Sequence, residues 1–158
     1  MSEHFAIVQW YRSQEKFTDN RYSREHTWRF DGGAEVSASA SPHVVPEPYS
    51  NAAYIDPEEA FIASLSSCHM LWFLSIAAKQ KFVVESYVDQ AVGIMDKNEQ
   101  GKLAITTVYL RPQVAFAEDH SPTTQQIETM HEEAHHSCFL ASSVKSAVIV
   151  EAIAPPAK

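Results

Sequence analysis

Two stretches of this 158-residue chain hold the side chains with the most obvious chemistry. One is SLSSCHMLWFL, which carries Cys68; the other is HEEAHHSC, residues 131 to 138, which ends on Cys138, the second of two cysteines. The second stretch carries two signatures at once. His131, Glu132 and His135 spell H-E-x-x-H, in which two imidazoles one helical turn apart grip zinc and the glutamate activates a water. Cys138 offers a thiol instead, a nucleophile and redox centre once it loses its proton.

The zinc reading lacks ligands. A catalytic site needs a third protein ligand and an open fourth position. One class of zinc hydrolase supplies it through a glycine and a further histidine spaced along the next seven or so residues, and HSCFLAS has no glycine and no histidine beyond the adjacent His136. The other common arrangement needs an acidic ligand on a later helix, whereas Glu151, the only later carboxylate side chain, lies in an apparent strand. A zinc hydrolase built on His131, Glu132 and His135 therefore ranks behind a thiol function. Structural zinc held by His131, His135 or His136 with Cys138 would suit the metal's ligand preferences but has no second pair to complete it. The glycines, Gly32, Gly33, Gly93 and Gly101, form neither a dinucleotide fingerprint nor a P-loop, and Ser66 and Ser67 lie in no G-x-S-x-G elbow.

Cys68 falls about twelve positions into an apolar helical stretch, too deep for the helix N-terminus to help it ionise. A reactive thiol in that setting needs a cation, and arginine is the cation that survives burial. The alternative is a cysteine acting as a small buried hydrophobe. A formal charge of -8, with no run of Lys or Arg, disfavours nucleic acid and anionic membranes as partners. The N-terminal residues MSEHFAIVQWYRSQEKF show no basic segment leading into an apolar run, so the expected location is the cytoplasm, with reduced thiols. Ala60 to Ala78 has the length of a membrane span and no charge, but four serines and His69 interrupt it, and a buried helix is the expectation.

The elements that must position these residues can be read from pattern. Tyr22 to Phe30 alternates, Asp31-Gly32-Gly33 turns, and Ala34 to Ala38 resumes, a β-hairpin with Phe5 to Tyr11 as a neighbouring strand. Residues 41 to 55, with Pro42, Pro46 and Pro48, read as a loop. Asp56-Pro57-Glu58-Glu59 announces a helix: an N-cap, proline at the first helical position and a glutamate able to close a capping box, continuing to about Gln80. Phe82 to Met95 and Lys102 to Phe116 read as two long strands about the turn Asp96 to Gly101. Thr123 to about His136 reads as a second helix with Ile127, Met130 and Ala134 on one face, and Val144 to Ile153 as a last strand. The order predicts one α+β domain spanning residues 1–158.

DPEEAFIASLSSCHM resembles the first cysteine motif of the OsmC/Ohr family of organic hydroperoxide reductases, and AHHSCFLASSV followed by a β-rich tail resembles the second. With the strand pair between them, the resemblance runs from about Arg24 to Ala152. It implies an OsmC-like fold, antiparallel sheets around a long central cysteine-bearing helix, in an intertwined homodimer. It further implies a thiol-dependent peroxidase: Cys68 attacks the hydroperoxide, Cys138 resolves the sulfenic acid, and a dithiol such as a dihydrolipoyl group reduces the disulfide, with no cofactor or metal. The family's glutamate falls on Glu58. It stands about 15 Å along the helix from Cys68, so it either serves the Cys68 of another subunit or simply caps its own helix. The family draws its arginine from the N-terminal strands or the loop ahead of the helix. The loop ASPHVVPEPYSNAAYI has none, and Arg24, sharing a strand face with His26, Trp28 and Phe30, is chosen over Arg29, which points the other way with Glu25. Many relatives have proline after the second cysteine, where this chain has Phe139. An apolar substrate pocket is expected from Trp72, Phe73, Phe61 and Trp28, and His69 is expected to pack. A non-enzymatic redox-sensing or ligand-binding protein of the same fold is the alternative function.

Overall fold

A computed structural model describes residues 1–153 and has the mixed α+β composition expected. Strands β1 (Ala6–Gln9), β2 (His26–Phe30) and β3 (Glu35–Ala38) precede helix α1 (Pro57–Lys79). Then come β4 (Val84–Asp89), β5 (Val92–Lys97), β6 (Leu103–Leu110), β7 (Pro112–Phe116), α2 (Thr124–Ser137) and β8 (Ala147–Val150). The chain divides into two compact units, Met1–Ala60 and Phe61–Lys158.

The first unit is an antiparallel sheet in the order β1-β2-β3, with Val8 opposite Trp28 and Trp28 opposite Val36. The hairpin closes at the turn anticipated: Gly33, at φ +86°, donates its N–H to the Phe30 carbonyl, a backbone conformation that costs glycine little. The alternating run from Tyr22 becomes a strand only at His26. Before that, the Arg24 backbone N–H donates to the Tyr49 carbonyl, tying the segment to the proline-containing loop instead of to a strand. Ile7 and Val8 are both more than 60% exposed.

The α1 start is the capping box read from sequence. Glu59 N–H donates to Asp56 Oδ1 at 2.8 Å, and Asp56 N–H donates to Glu59 Oε2 at 3.2 Å. The helix ends with Lys81 at φ +67°, which lets Phe82 N–H reach the Ala77 carbonyl and Lys81 N–H the Ala78 carbonyl, a closure that satisfies two otherwise orphaned carbonyls.

Within the second unit α1 supplies both cores. Phe73, Ile76 and Ala77 pack with Phe82, Val114, Met130 and Ala134, while Leu65 packs with Val108 and Leu110. Gly93 on β5 marks a close approach: a Cβ there would fall 2.5 Å from Ile62 Cδ1 on α1. One stripe of α1 remains open, since Ala63, Ser64, Ser67, Leu71 and Ser75 are exposed. The helix is therefore not buried all round.

The two long strands expected between residues 82 and 116 are four. Each run breaks near its middle, giving a β4-β7 pair and a β5-β6-β8 sheet in which β8 pairs parallel to β6. Asp89 stands at the break: its carboxylate accepts from the Arg111 backbone N–H at 2.6 Å and from the Ser66 hydroxyl. These bonds fix the bend between the paired strands. Helix α2 begins with a second capping box, Thr123 with Gln126, and buries Met130 and Ala134 as anticipated.

Candidate thiol site

Cys68 and Cys138 come to the sites from different structural origins. Cys68 lies mid-helix on the buried side of α1, flanked along the axis by Leu65 and Phe73, which anchor that side in the two cores. Cys138 is the C-cap of α2, at φ −71° and ψ 100°, so the chain leaves the helix at the cysteine itself. A 3-10 turn at Ala141–Ser143 then folds back, and Ala141 N–H donates to Cys138 Sγ at 3.4 Å. The two free thiols meet with Cys138 Sγ–H donating to Cys68 Sγ at 2.9 Å.

The sulfurs are not equivalent. Cys138 is 1% exposed, and burial, followed by its hydrogen bond to Cys68, pushes its pKa up. It therefore keeps its proton and serves as the donor. Cys68 is 6% exposed and opens onto a hollow of about 550 Å³. Ser64, Ser67, Leu71, Trp72 and Ser75 of α1 form one wall, and Phe139 and Leu140 the other. A small apolar molecule entering this hollow meets Cys68, not Cys138.

The expected pocket residues divide. Trp72 lines the hollow, one turn on from Cys68. Phe73, about 140° around the helix from Cys68, is fully buried in the core with Tyr87 and Phe116. Phe61 shares the helix face of Cys68 but lies two turns away and lines a separate hollow with Lys97 and Lys145. Trp28 belongs to the first unit, in the middle of β2. Phe139, in the position where many relatives have proline, is 64% exposed at the rim.

Arg24 and Glu58 belong to the first unit. The Arg24 guanidinium donates to the Asn20 carbonyl at 3.0 Å, to Asn20 Oδ1 at 2.6 Å and to the Tyr22 carbonyl, and it covers the Tyr22 ring at 3.7 Å. It stands before β2, not on the strand face assumed from alternation. Arg29 is in an exposed ion pair with Glu35 at 2.8 Å. Glu58 occupies the first turn of α1, ten residues ahead of Cys68.

Histidines beside the cysteines form a contact that sequence reasoning did not pair. His69 Nε2 and His131 Nδ1 are 3.0 Å apart, with the rings within 8° of parallel, and Phe73 stacks on His131 at 4.2 Å. Burial pushes both imidazoles down to about pKa 4, with His131 and His135 adding to the effect on His69. Both are neutral near pH 7. His131, the first residue of H-E-x-x-H, thus spends one nitrogen on α1. Among the described residues, no group of three or more His, Cys, Asp or Glu side chains is arranged to hold a metal ion. The only signal for the imidazole contact was adjacency: His69 follows one cysteine, and His131 precedes the other by two helical turns.

Comparison with known proteins adds an independent line. The family model described as OsmC-like protein matches residues 50–152. An OsmC-like protein of unknown function from Vibrio cholerae is 62% identical, with a TM-score of 0.95 over 97% of this chain and 100% of that one. An organic hydroperoxide resistance protein from Elizabethkingia anophelis is 16% identical, with a TM-score of 0.71 over 99% and 98% of the two chains. The organic hydroperoxide resistance protein OhrB of Bacillus subtilis, also 16% identical, gives 0.62 over 97% and 98%. No curated protein matches the sequence.

Proposed function

Because the chain belongs to the OsmC-like protein family, we propose that it is a thiol-dependent peroxidase that reduces organic hydroperoxides. The observation that carries this reading is the asymmetric dithiol, 2.9 Å between sulfurs, with only Cys68 facing an apolar hollow. The Cys68 thiolate attacks the terminal hydroperoxide oxygen and the O–O bond breaks. The alkoxide leaves, takes up a proton as the alcohol, and Cys68 becomes a sulfenic acid. The Cys138 sulfur then attacks Cys68 Sγ, the S–O bond breaks, and the hydroxide departs with the Cys138 proton as water. Closing the bond to about 2 Å requires less than 1 Å of approach. A dithiol of the dihydrolipoyl class returns two electrons and two protons. Arg24 is the proposed cation for the thiolate and Glu58 its carboxylate partner, donated by a second copy.

A homodimer is part of the proposal. Ile7 and Val8 are successive residues of β1 and so face opposite sides of the sheet, yet both are open, and the exposed stripe of α1 carries Leu71 at 61%. Apolar surface of this kind in a single chain calls for a protein cover. The proposed location is the cytoplasm, where thiols stay reduced between turnovers.

The test is a thiol count. One equivalent of tert-butyl hydroperoxide should remove both thiols of the reduced protein within seconds and leave an intramolecular disulfide. Cys68→Ser should consume none, and Cys138→Ser should accumulate a sulfenic acid trapped by a dicarbonyl reagent. Loss of thiols over hours, matching free glutathione, would discard the peroxidase in favour of a redox-sensing protein.

A further inference from the structure

We infer that His69 and His131 form a positioning pair that holds Cys68 opposite Cys138 by fixing the rotation of α1 about its own axis. The inference concerns the dithiol itself; it rests on the peroxidase reading only for the purpose the dithiol serves.

Helix geometry carries the argument. His131 and Cys138 are seven residues apart, so they lie within about 20° of the same face of α2 and roughly 10 Å apart along its axis. Their partners on α1, His69 and Cys68, are neighbours in sequence, about 100° apart around the axis and only about 1.5 Å along it. Two contacts two turns apart on α2 therefore meet two flanks of α1 at nearly one level. The sulfurs and the imidazoles thus hold α1 at two points about 100° apart around its axis.

Added to the packing of Phe73, Ile76 and Ala77 against Met130 and Ala134, these two directional contacts set the rotation of α1. With side-chain atoms at a radius of roughly 5 Å, turning α1 by about 20° displaces Cys68 Sγ by roughly 2 Å, enough to part the sulfurs. The same turn breaks the imidazole contact, whose distance and direction are both constrained because it is a hydrogen bond. An apolar contact in that place would slide with less resistance.

The chemical cost of the pair points the same way. His69 is 1% and His131 4% exposed. Two neutral imidazoles share one N–H in their contact, which leaves an outer nitrogen on each, and His69 Nδ1 and His131 Nε2 meet no protein partner among the described residues. Leaving buried polar atoms unpaired costs about 1–3 kcal/mol per group, so two apolar side chains would stabilise this core better. A polar pair present at that cost fits a role in setting register. Phe73 stacked on His131 and the nearby His135 complete its surroundings.

The test measures the dithiol with no hydroperoxide present. The reduced full chain is equilibrated with glutathione redox buffers, and the effective concentration of Cys68 for Cys138 is read from the fraction oxidised. His69→Phe and His131→Phe should each lower it at least tenfold, and the double variant should do no worse than either single. His69→Gln and His131→Asn, whose amides reach the positions of Nε2 and Nδ1, should recover it to within about threefold of wild type. In a Cys138→Ser background, the rate at which iodoacetamide alkylates Cys68 should stay within twofold on adding either Phe substitution, separating lost register from general loosening. An effective concentration unchanged in folded Phe variants overturns the inference, as does Gln or Asn performing no better than Leu at the same site should the Phe variants fail to fold. A wild-type chain that never reduces hydroperoxide would sink the peroxidase and leave this measurement intact.

Discussion

Acidifying the protein from pH 7 to pH 5 should destabilise it through the two buried imidazoles by an amount that follows from their pKa values. In the unfolded chain a histidine titrates near 6.5, whereas in the fold His69 and His131 are held down to about 4. Between those values the unfolded chain binds protons that the folded one refuses, so stability falls as pH drops below about 6.5 and levels off below about 4. At pH 5 one such group contributes about 1.5 × 1.36, or about 2 kcal/mol, against unfolding protection lost. Two such groups acting independently would double that, so the single figure is the minimum expected. For a chain of this size about 2 kcal/mol lowers Tm by about 4–8 °C. The assay is thermal or urea unfolding from pH 7.5 to 5 at constant ionic strength, comparing wild type with the His69→Gln, His131→Asn double variant. The remaining histidines and the carboxylates are common to both proteins and cancel in the difference. Parallel stability curves across that range would refute the claim that the pair is buried and neutral.

Three further outcomes test the proposed site, the proposed dimer and the packing of α1. If Arg24 is the proposed cation, Arg24→Met should slow oxidation of Cys68 by an alkyl hydroperoxide on the order of tenfold or more, while Arg29→Met leaves the stopped-flow rate unchanged; equal rates in all three proteins would overturn the proposed role of Arg24. Val8→Lys places a charge on exposed apolar surface of β1, and in analytical ultracentrifugation it should split the proposed homodimer into single chains of 17.7 kDa. Gly93→Ala forces a methyl to 2.5 Å from Ile62 Cδ1 and should cost about 1–3 kcal/mol in urea unfolding, with Ile62→Val restoring part of it.

Where local chemistry decides, the sequence was sufficient. Asp56-Pro57-Glu58-Glu59 contains its own capping partners, as do Thr123 and Gln126, so both helix starts were legible. The turn at Gly33 was equally local. The division of the long strands was not, because it depends on Asp89 meeting Arg111 and Ser66 from positions more than twenty residues away. Alternation likewise put Arg24 on a strand face, although its side chain is held by Asn20 and Tyr22 in a bend before β2. The site was legible in uneven measure. Residue types marked Cys68 and Cys138 as reactive candidates, but their pairing came from family resemblance. His69 and His131 are separated by 62 positions, and each had a plausible local role that hid the other.

A sulfur seated on the last residue of a helix moves on different terms from one embedded in the middle. Cys138 closes α2, and beyond it the Ala141 amide and the 3-10 turn are what register its position. Forming a covalent bridge would leave the i→i−4 ladder behind Cys138 untouched and shift the strain forward into a few backbone amides. Oxidation should therefore be recorded by slowed or quickened hydrogen exchange over residues 141–143, while α1, the longer and more deeply anchored partner, exchanges alike in both redox states.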